Sequence, residues 1–354
     1  MFEDELELKA KDGSVESKKG ACELLGPIRR AKYPDVTEEE ERISLPLQTL
    51  CQAIFDAVLV HVLNTVAPGK WHTFKLQLCE ALAKKKTQRT ISILSSEHCA
   101  SSDVIALQEV SGAMFDAISA SPLADSYHVL APASFSRKRD QNSIILARKA
   151  LFSEPEDASG AIEATFADKG EKCPSDAGDL AAFKVKYGDS GAAWLLASFH
   201  GDTNGLMTWP VTEAVAQYAN AHHTALLFGL DANTYNKPVA GKQYGCEDYG
   251  AALGGVNMTS CWGDTPSPTN FTTYIARTYL QPQLNKAVKA SEKATSKNTD
   301  RNPKDFIVFF KGSFEVESTA KDNTGKGTFE GDSLLPTLDF PSDHAACTAV
   351  LTVL

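Results

Sequence analysis

Closely spaced cysteine pairs are missing from this sequence. Its eight cysteines, Cys22, Cys51, Cys79, Cys99, Cys173, Cys246, Cys261 and Cys347, are scattered with no CxxC unit. That excludes a zinc-finger spacing and a dense disulfide framework, and leaves reduced thiols as the expectation. Positive charge is also in short supply: 35 Lys and Arg stand against 45 Asp and Glu, a formal charge of −10. The long-range field therefore does not draw in a polyanion such as duplex DNA, which leaves only a local basic patch for such a role. Apolar runs such as Ala192–Phe199 and Thr224–Leu230 stop well short of the roughly 20 residues that span a bilayer, so no membrane span is expected. Met1 to Leu8 is acidic and has neither the basic start and apolar run of a signal peptide nor the bias of a transit peptide. A soluble, intracellular protein of the cytoplasm or nucleus is expected, or of an organelle if a leader has been removed.

What is present is ordinary globular composition. With 354 residues, 43% hydrophobic and 23% charged, the chain is long enough for one large α/β core. Residues 1–50 carry charged stretches and little apolar periodicity, as expected of an exposed arm or cap, with the main domain over 51–354. The run FDAVLVHVL at 55–63, ending at Asn64, reads as a buried strand feeding a turn. Trp71, Phe74, Leu78 and Leu82 predict an amphipathic helix from His72 to about Lys85. Further strands are predicted at 103–109, 142–148, 193–202, 225–233, 305–310 and 345–354, with a helix over 211–221. The stretches 153–179 and 286–303, rich in small and polar residues, read as surface loops. No repeat of fixed period is found.

The chemistry collects where these strands end, because a buried strand delivers its last polar residues to the rim of a sheet. Glu109 closes DVIALQE and His200 closes WLLASFH. Asp231 and Asn233 alternate in LDAN, so both side chains lie on one face: a proton acceptor beside an amide that can orient a water. Asp305 opens DFIVFF, and Asp343 and His344 stand in FPSDHAA before the last strand. Each alone is compatible with a cap, a turn or a structural histidine.

Taken in order, LQE, SFH, LDAN, a strand-initial Asp and a C-terminal SDH resemble the endonuclease/exonuclease/phosphatase superfamily of metal-dependent phosphoesterases, over about residues 55–354. The resemblance implies a four-layer α/β sandwich, two central mixed β-sheets flanked by helices, with the site at one end of the sheets and the strands ending at Asn64, Glu109, His200 and Asp231 converging on one rim. It implies Glu109 as main ligand of a divalent metal, Mg²⁺ with Mn²⁺ as the alternative, Asn64 completing the metal site and Asp343 at its edge. It further implies that Asp231 activates the attacking water, Asn233 holds the water or a phosphate oxygen, and His200 donates to a non-bridging oxygen. His344, oriented by Asp305, would stabilise charge on phosphorus or the leaving oxygen. The chain departs from the family's Gly-Asp-Phe-Asn at Leu230-Asp231-Ala232-Asn233, and has Phe306 where the family often has Tyr. Independently, a hard cation needs only one or two protein carboxylates when phosphate and water supply the rest, and a phosphoryl transition state calls for electrophiles around its equatorial oxygens.

Within the superfamily, PTNFT at 268–272 followed by DFIVFF and PSDH looks like the deadenylase and nocturnin branch. This implies a phosphodiesterase acting on RNA ends or adenine nucleotides, with Asn270 and Phe271 near the base; a loop Asn and a core Phe would read the same. The alternatives are a lipid or inositol phosphatase on the same scaffold, and a non-catalytic scaffold protein. A protein partner would engage residues 1–50 or an insertion at 241–303.

Overall fold

A computed structural model describes residues 5–9, 15–20, 25–276 and 299–354. The chain divides into two compact units, 1–77 and 78–354.

In the first unit, β1 (Glu5–Lys9) pairs antiparallel with β2 (Val15–Gly20). Helix α1 then runs from Glu38 to Val66. Its start is written in the sequence: Thr37 accepts from the Glu40 N–H while the Glu40 carboxylate accepts from the Thr37 N–H, a capping box. Four glutamates in the first turn favour the positive end of the helix dipole. The helix corrects one reading. Residues 55–63 are helical, not a strand. A short Val- and Leu-rich run does not distinguish a strand from a helix by periodicity, and the capping box decides it. By length and composition alone, α1 is also long and apolar enough to cross a membrane, its most apolar 18-residue window having mean hydropathy 1.5 and 6% of its residues buried. Leu47, Leu50, Ile54, Val58 and Val62 are all exposed. Helix α2 follows over Trp71–Cys79.

The second unit holds a π-helical turn at Glu80–Lys84, the other part of the helix predicted over 72–85. After it come α3 (Lys86–Leu94), α4 (Glu97–Ala100), β3 (Val104–Val110), α5 (Gly112–Ser119), α6 (Leu123–Ser126), β4 (Tyr127–Leu130) and β5 (Asn142–Arg148). Next are β6 (Phe152–Asp157) and α7 (Ser159–Asp168), which replace most of the loop expected over 153–179. The chain continues through β7 (Leu180–Tyr187), β8 (Ala192–His200), α8 (Thr208–Ala221), β9 (Ala225–Asp231), α9 (Cys246–Gly255) and β10 (Met258–Ser260). A 3₁₀ turn at Pro268–Asn270 leads to β11 (Thr273–Ala276), β12 (Thr299–Asn302), β13 (Asp305–Phe310), β14 (Phe314–Asp322) and β15 (Ala346–Val353). Of the loop expected at 286–303, residues 286–298 lie outside the described residues and Thr299–Asn302 is strand.

Four layers result. A six-stranded mixed sheet, β10-β13-β9-β8-β7-β6, has β8 and β9 parallel and its other neighbours antiparallel; a three-stranded antiparallel sheet, β3-β5-β4, faces it. The period of two along the strands assigns each side chain to an interface. On β5, Ile145 and Ala147 meet Phe183, Trp194 and Leu196 between the sheets. Ile144 and Leu146 of the same strand meet Leu94 and Ile118 of α3 and α5 on the outside. On β8, Leu195, Ala197 and Phe199 pack under Ile162, Val215 and Leu253 of α7, α8 and α9. Strands covered on both faces need unbroken apolar runs, and NSIILAR, AWLLASF and ALLFGL are such runs.

Candidate active site

Three neighbouring strands of the large sheet bring their polar ends abreast. His200, at the end of β8, pairs in register with Asp231, at the end of β9. Asp231 pairs in turn with Asp305, the first residue of the antiparallel β13. Residues far apart in sequence are thereby set side by side at ladder spacing.

The facing sheet supplies Glu109. Gln108 donates to Ser198 Oγ at 2.9 Å, and Ser198 Oγ donates to the Leu107 carbonyl at 3.2 Å, stitching the end of β3 onto β8. The β3–β5 register shifts between Leu107 and Val110, and Glu109 takes φ +55°, a left-handed conformation that costs a non-glycine residue about 1–2 kcal/mol. The kink turns the Glu109 carboxylate to within 3.6 Å of His200 Nε2 while leaving it half exposed.

Asp231 is the buried centre. Its Oδ1 accepts from the Asn233 N–H at 2.9 Å, and its Oδ2 lies 3.7 Å from His200 Nε2 and 3.8 Å from His344 Nε2. Those two spacings are ion-pair distances rather than hydrogen bonds, so both imidazoles keep donor capacity for an incoming oxygen. Burial pushes the Asp231 carboxyl above its usual range, with the Asp305 charge acting in the same direction; His344, His200 and Lys304 oppose it.

His344 Nδ1 lies 2.9 Å from Asp305 Oδ2. Burial alone would disfavour the imidazolium. The Asp305 and Asp231 charges, the bond to Asp305 and the Asp343 charge more than offset it, and the pKa is pushed up to about 10. His344 is therefore a cation at neutral pH with Nδ1 donating to Asp305. Its backbone is held by Ser342 Oγ at 3.1 Å and by a bridge to Thr273. Thr272 ties the two segments together: its Oγ1 accepts from the N–H groups of Lys304 and Asp305, and its carbonyl accepts from Ala345.

Asn233 is buried, at φ +49°, and its amide is already engaged. Nδ2 donates to the Gly201 carbonyl at 3.0 Å and to Asp231 Oδ2 at 3.2 Å, and Oδ1 accepts from Lys304 Nζ. Gly201 permits this close packing: a Cβ there would meet Thr208 Oγ1 at 2.7 Å. Lys304 is the site residue that sequence reasoning missed. The signal was its position directly before the strand-initial Asp305, but only the pairing of Ala232 N–H with the Lys304 carbonyl shows where it points.

The other expected residues fall as follows. Asp343 is exposed and acts on His344 through its charge. Asn64 sits on α1 in the first unit, not at a strand end, and its Oδ1 accepts from Trp71 Nε1 at 2.7 Å. Asn270 completes a capping box with Ser267 in the 3₁₀ turn. Phe271 has the Lys321 ammonium 4.4 Å and the Arg301 guanidinium 5.0 Å from its ring centroid, with Phe329 at 5.5 Å. Cations already occupy the surroundings of the ring that was expected to stack on a base.

Asp231, Asp305 and His344 each offer one ligand atom, all within 4.8 Å of one another. These three residues are one candidate set for holding a cation. Glu109, exposed and oxygen-only, fits a hard divalent cation that keeps most of its waters.

A family model for a domain of unknown function (DUF8234) matches residues 1–76. No curated protein matches. Among solved structures, the chain is similar to D. rerio TDP2 complexed with single strand DNA product, at 14% identity over 78% of this chain and 95% of that one, TM-score 0.47. It is also similar to the human Nocturnin catalytic domain with bound sulfate anion, at 15% identity over 77% and 90%, TM-score 0.44. An endonuclease/exonuclease/phosphatase family protein from Bacteroides thetaiotaomicron matches at 14% identity over 75% and 86%, TM-score 0.43.

Proposed function

We propose that residues 78–354 form a metal-dependent phosphodiesterase acting on nucleotide-type esters. The observation that carries this reading is the register of His200, Asp231 and Asp305 on three adjacent strands, with His344 between the two aspartates and Glu109 beside His200. Buried Asp231, held by Asn233, takes the proton of an attacking water. His344, held by Asp305, and His200 present N–H donors to the oxygens on which negative charge develops. Lys304 fixes the Asn233 amide, and so the orientation of Asp231. Glu109 would hold the divalent cation, which when bound neutralises phosphate charge.

One observation favours a second reading. The exposed apolar helix α1 is suited to a membrane surface, where the ester would be a phospholipid headgroup. Hydrolysis of bis(4-nitrophenyl) phosphate with and without Mg²⁺ tests the enzyme. Product analysis on oligoadenylate against phosphoinositide vesicles then separates the two substrates. No metal-dependent turnover on any of the three would leave the scaffold alternative standing.

A further inference from the structure

Two thiols meet beside the Asp305–His344 pair. Cys261, buried in the turn after β10, and Cys347, half-buried on β15, lie with their sulfurs 3.7 Å apart, although the residues are 86 positions apart in the chain. Each thiol is tied to one member of the pair. The Cys261 N–H donates to the Ile307 carbonyl at 2.8 Å, and its Sγ accepts from the Ile307 N–H at 3.4 Å. The next residue, Trp262, donates from Nε1 to the Asp305 carbonyl at 2.9 Å. Cys261 is thus fastened to the first residues of β13, the strand that opens at Asp305. Cys347 stands three residues beyond His344 and pairs with Lys321 of β14.

The contact is close enough for a covalent bond to be a small step. A disulfide holds its sulfurs at about 2.0 Å, so bridging closes the present 3.7 Å gap without bringing together distant parts of the fold. Because Cys261 is held on Ile307 by two bonds, the approach falls mainly on Cys347 and on the start of β15, directly behind His344. The surroundings keep the thiols protonated. The bond with Cys261, burial and the Asp305 charge push the Cys347 thiol well above its ordinary range, with Lys321 opposing them. That slows attack by a thiolate. It does not penalise the product, because a disulfide carries no charge to bury.

We propose that Cys261 and Cys347 are a reversible disulfide site, through which a small-molecule disulfide acts on the Asp305–His344 pair. Cys347, the less buried thiol, gives up its proton and attacks the reagent. A bond to the protein sulfur forms, the S–S bond of the reagent breaks, and one half leaves as a thiolate that takes up a proton. Cys261 then gives up its proton and attacks the mixed disulfide at the Cys347 sulfur, releasing the second half in the same way. Two protein thiols are oxidised to one disulfide, and one reagent disulfide is reduced to two thiols. The bridge stands on the geometry of the two cysteines and needs no substrate assignment.

The test equilibrates the full chain in EDTA, at about pH 8.5 where thiolate is more abundant, with graded ratios of oxidised to reduced glutathione. Free thiols are then alkylated and the digest is analysed by mass. A peptide pair joining positions 261 and 347, lighter by two hydrogens and carrying no glutathione, is expected, with both free thiols restored by dithiothreitol. Cys51, exposed on α1, is expected to take up glutathione and shows that the oxidant has acted. The imidazole resonances of His344, assigned with His344→Gln, are expected to shift between the reduced and oxidised wild-type chain. In Cys347→Ser and in Cys261→Ser, whose folding is established by unfolding curves, the same buffers should leave them in place. The proposal falls if no 261–347 pair forms while Cys51 is modified, or if the His344 resonances are the same in both states.

Discussion

Asp305 and His344, 39 residues apart, are joined by one 2.9 Å contact from Oδ2 to Nδ1. This contact fixes which ring nitrogen faces Asp231, and the Asp305 charge is the leading influence raising the His344 pKa to about 10. Asp305→Asn is expected to keep the fold, because the amide is nearly isosteric, and to bring the His344 pKa down toward neutrality. Turnover should fall by roughly 10²–10⁴-fold, as in other carboxylate-oriented histidine sites. His344→Ala combined with Asp305→Asn should cost little more than His344→Ala alone. NMR titration of the imidazole and the three turnover rates decide the matter. Losses that multiply would mean the two residues act independently.

The same contact has a stability signature. His344 binds its proton more tightly folded than unfolded, where the ordinary value is 6.5. Its contribution to stability is therefore fully present below about pH 6.5 and is lost as pH rises through about 10. Urea midpoints for wild type and His344→Gln should differ most in mildly acidic buffer and converge above pH 10. A difference that grows with pH would contradict the charged assignment.

Glu109 joins a functional expectation to a strained backbone. Glu109→Gln should abolish Mn²⁺ binding followed by electron paramagnetic resonance, whereas Asp305→Asn should retain it. The opposite pattern would move the cation to Asp231, Asp305 and His344. Because φ is +55°, Glu109→Gly should raise the stability of the second unit by about 1 kcal/mol while removing activity, the pattern of strain kept at a working site. Calorimetry on Glu109→Gly and Glu109→Ala separates relief of strain from loss of charge, since only glycine relieves the backbone.

The strands that carry the site were the legible part of the sequence. Those ending at His200 and Asp231 and the one opening at Asp305 are covered on both faces, so their apolar runs are unbroken and their first polar residue marks the rim. The helix containing 55–63 was not legible there because the run FDAVLVHVL is apolar at almost every position and so shows no helical period. The capping box at Thr37 and Glu40 was the available signal, and it lies 18 residues upstream of the misread run. In 153–179, short β6 and α7 carry many small and polar residues, so neither period stands out. The kink at Glu109 and the reach of Lys304 were not legible, because each depends on pairing with a strand distant in sequence.

Lys304 offers the sharpest test of how the centre is tuned. Its ammonium contacts Asn233 Oδ1 and is one of the charges that hold the Asp231 pKa down against burial. Lys304→Met removes that charge and leaves a buried amide oxygen without its donor, which costs about 1–3 kcal/mol. The Asp231 carboxyl should then rise further. A base must be ionised to take a proton, so the acidic limb of the pH–rate profile should move to higher pH, with activity partly recovered in alkaline buffer. Lys304→Arg keeps the charge and should leave the limb near its wild-type position even if the maximum rate drops. Profiles of kcat for the three proteins give the answer. If Lys304→Met lowered the rate equally at every pH, Lys304 would be acting only through the packing of Asn233, and its electrostatic role on Asp231 would have to be given up.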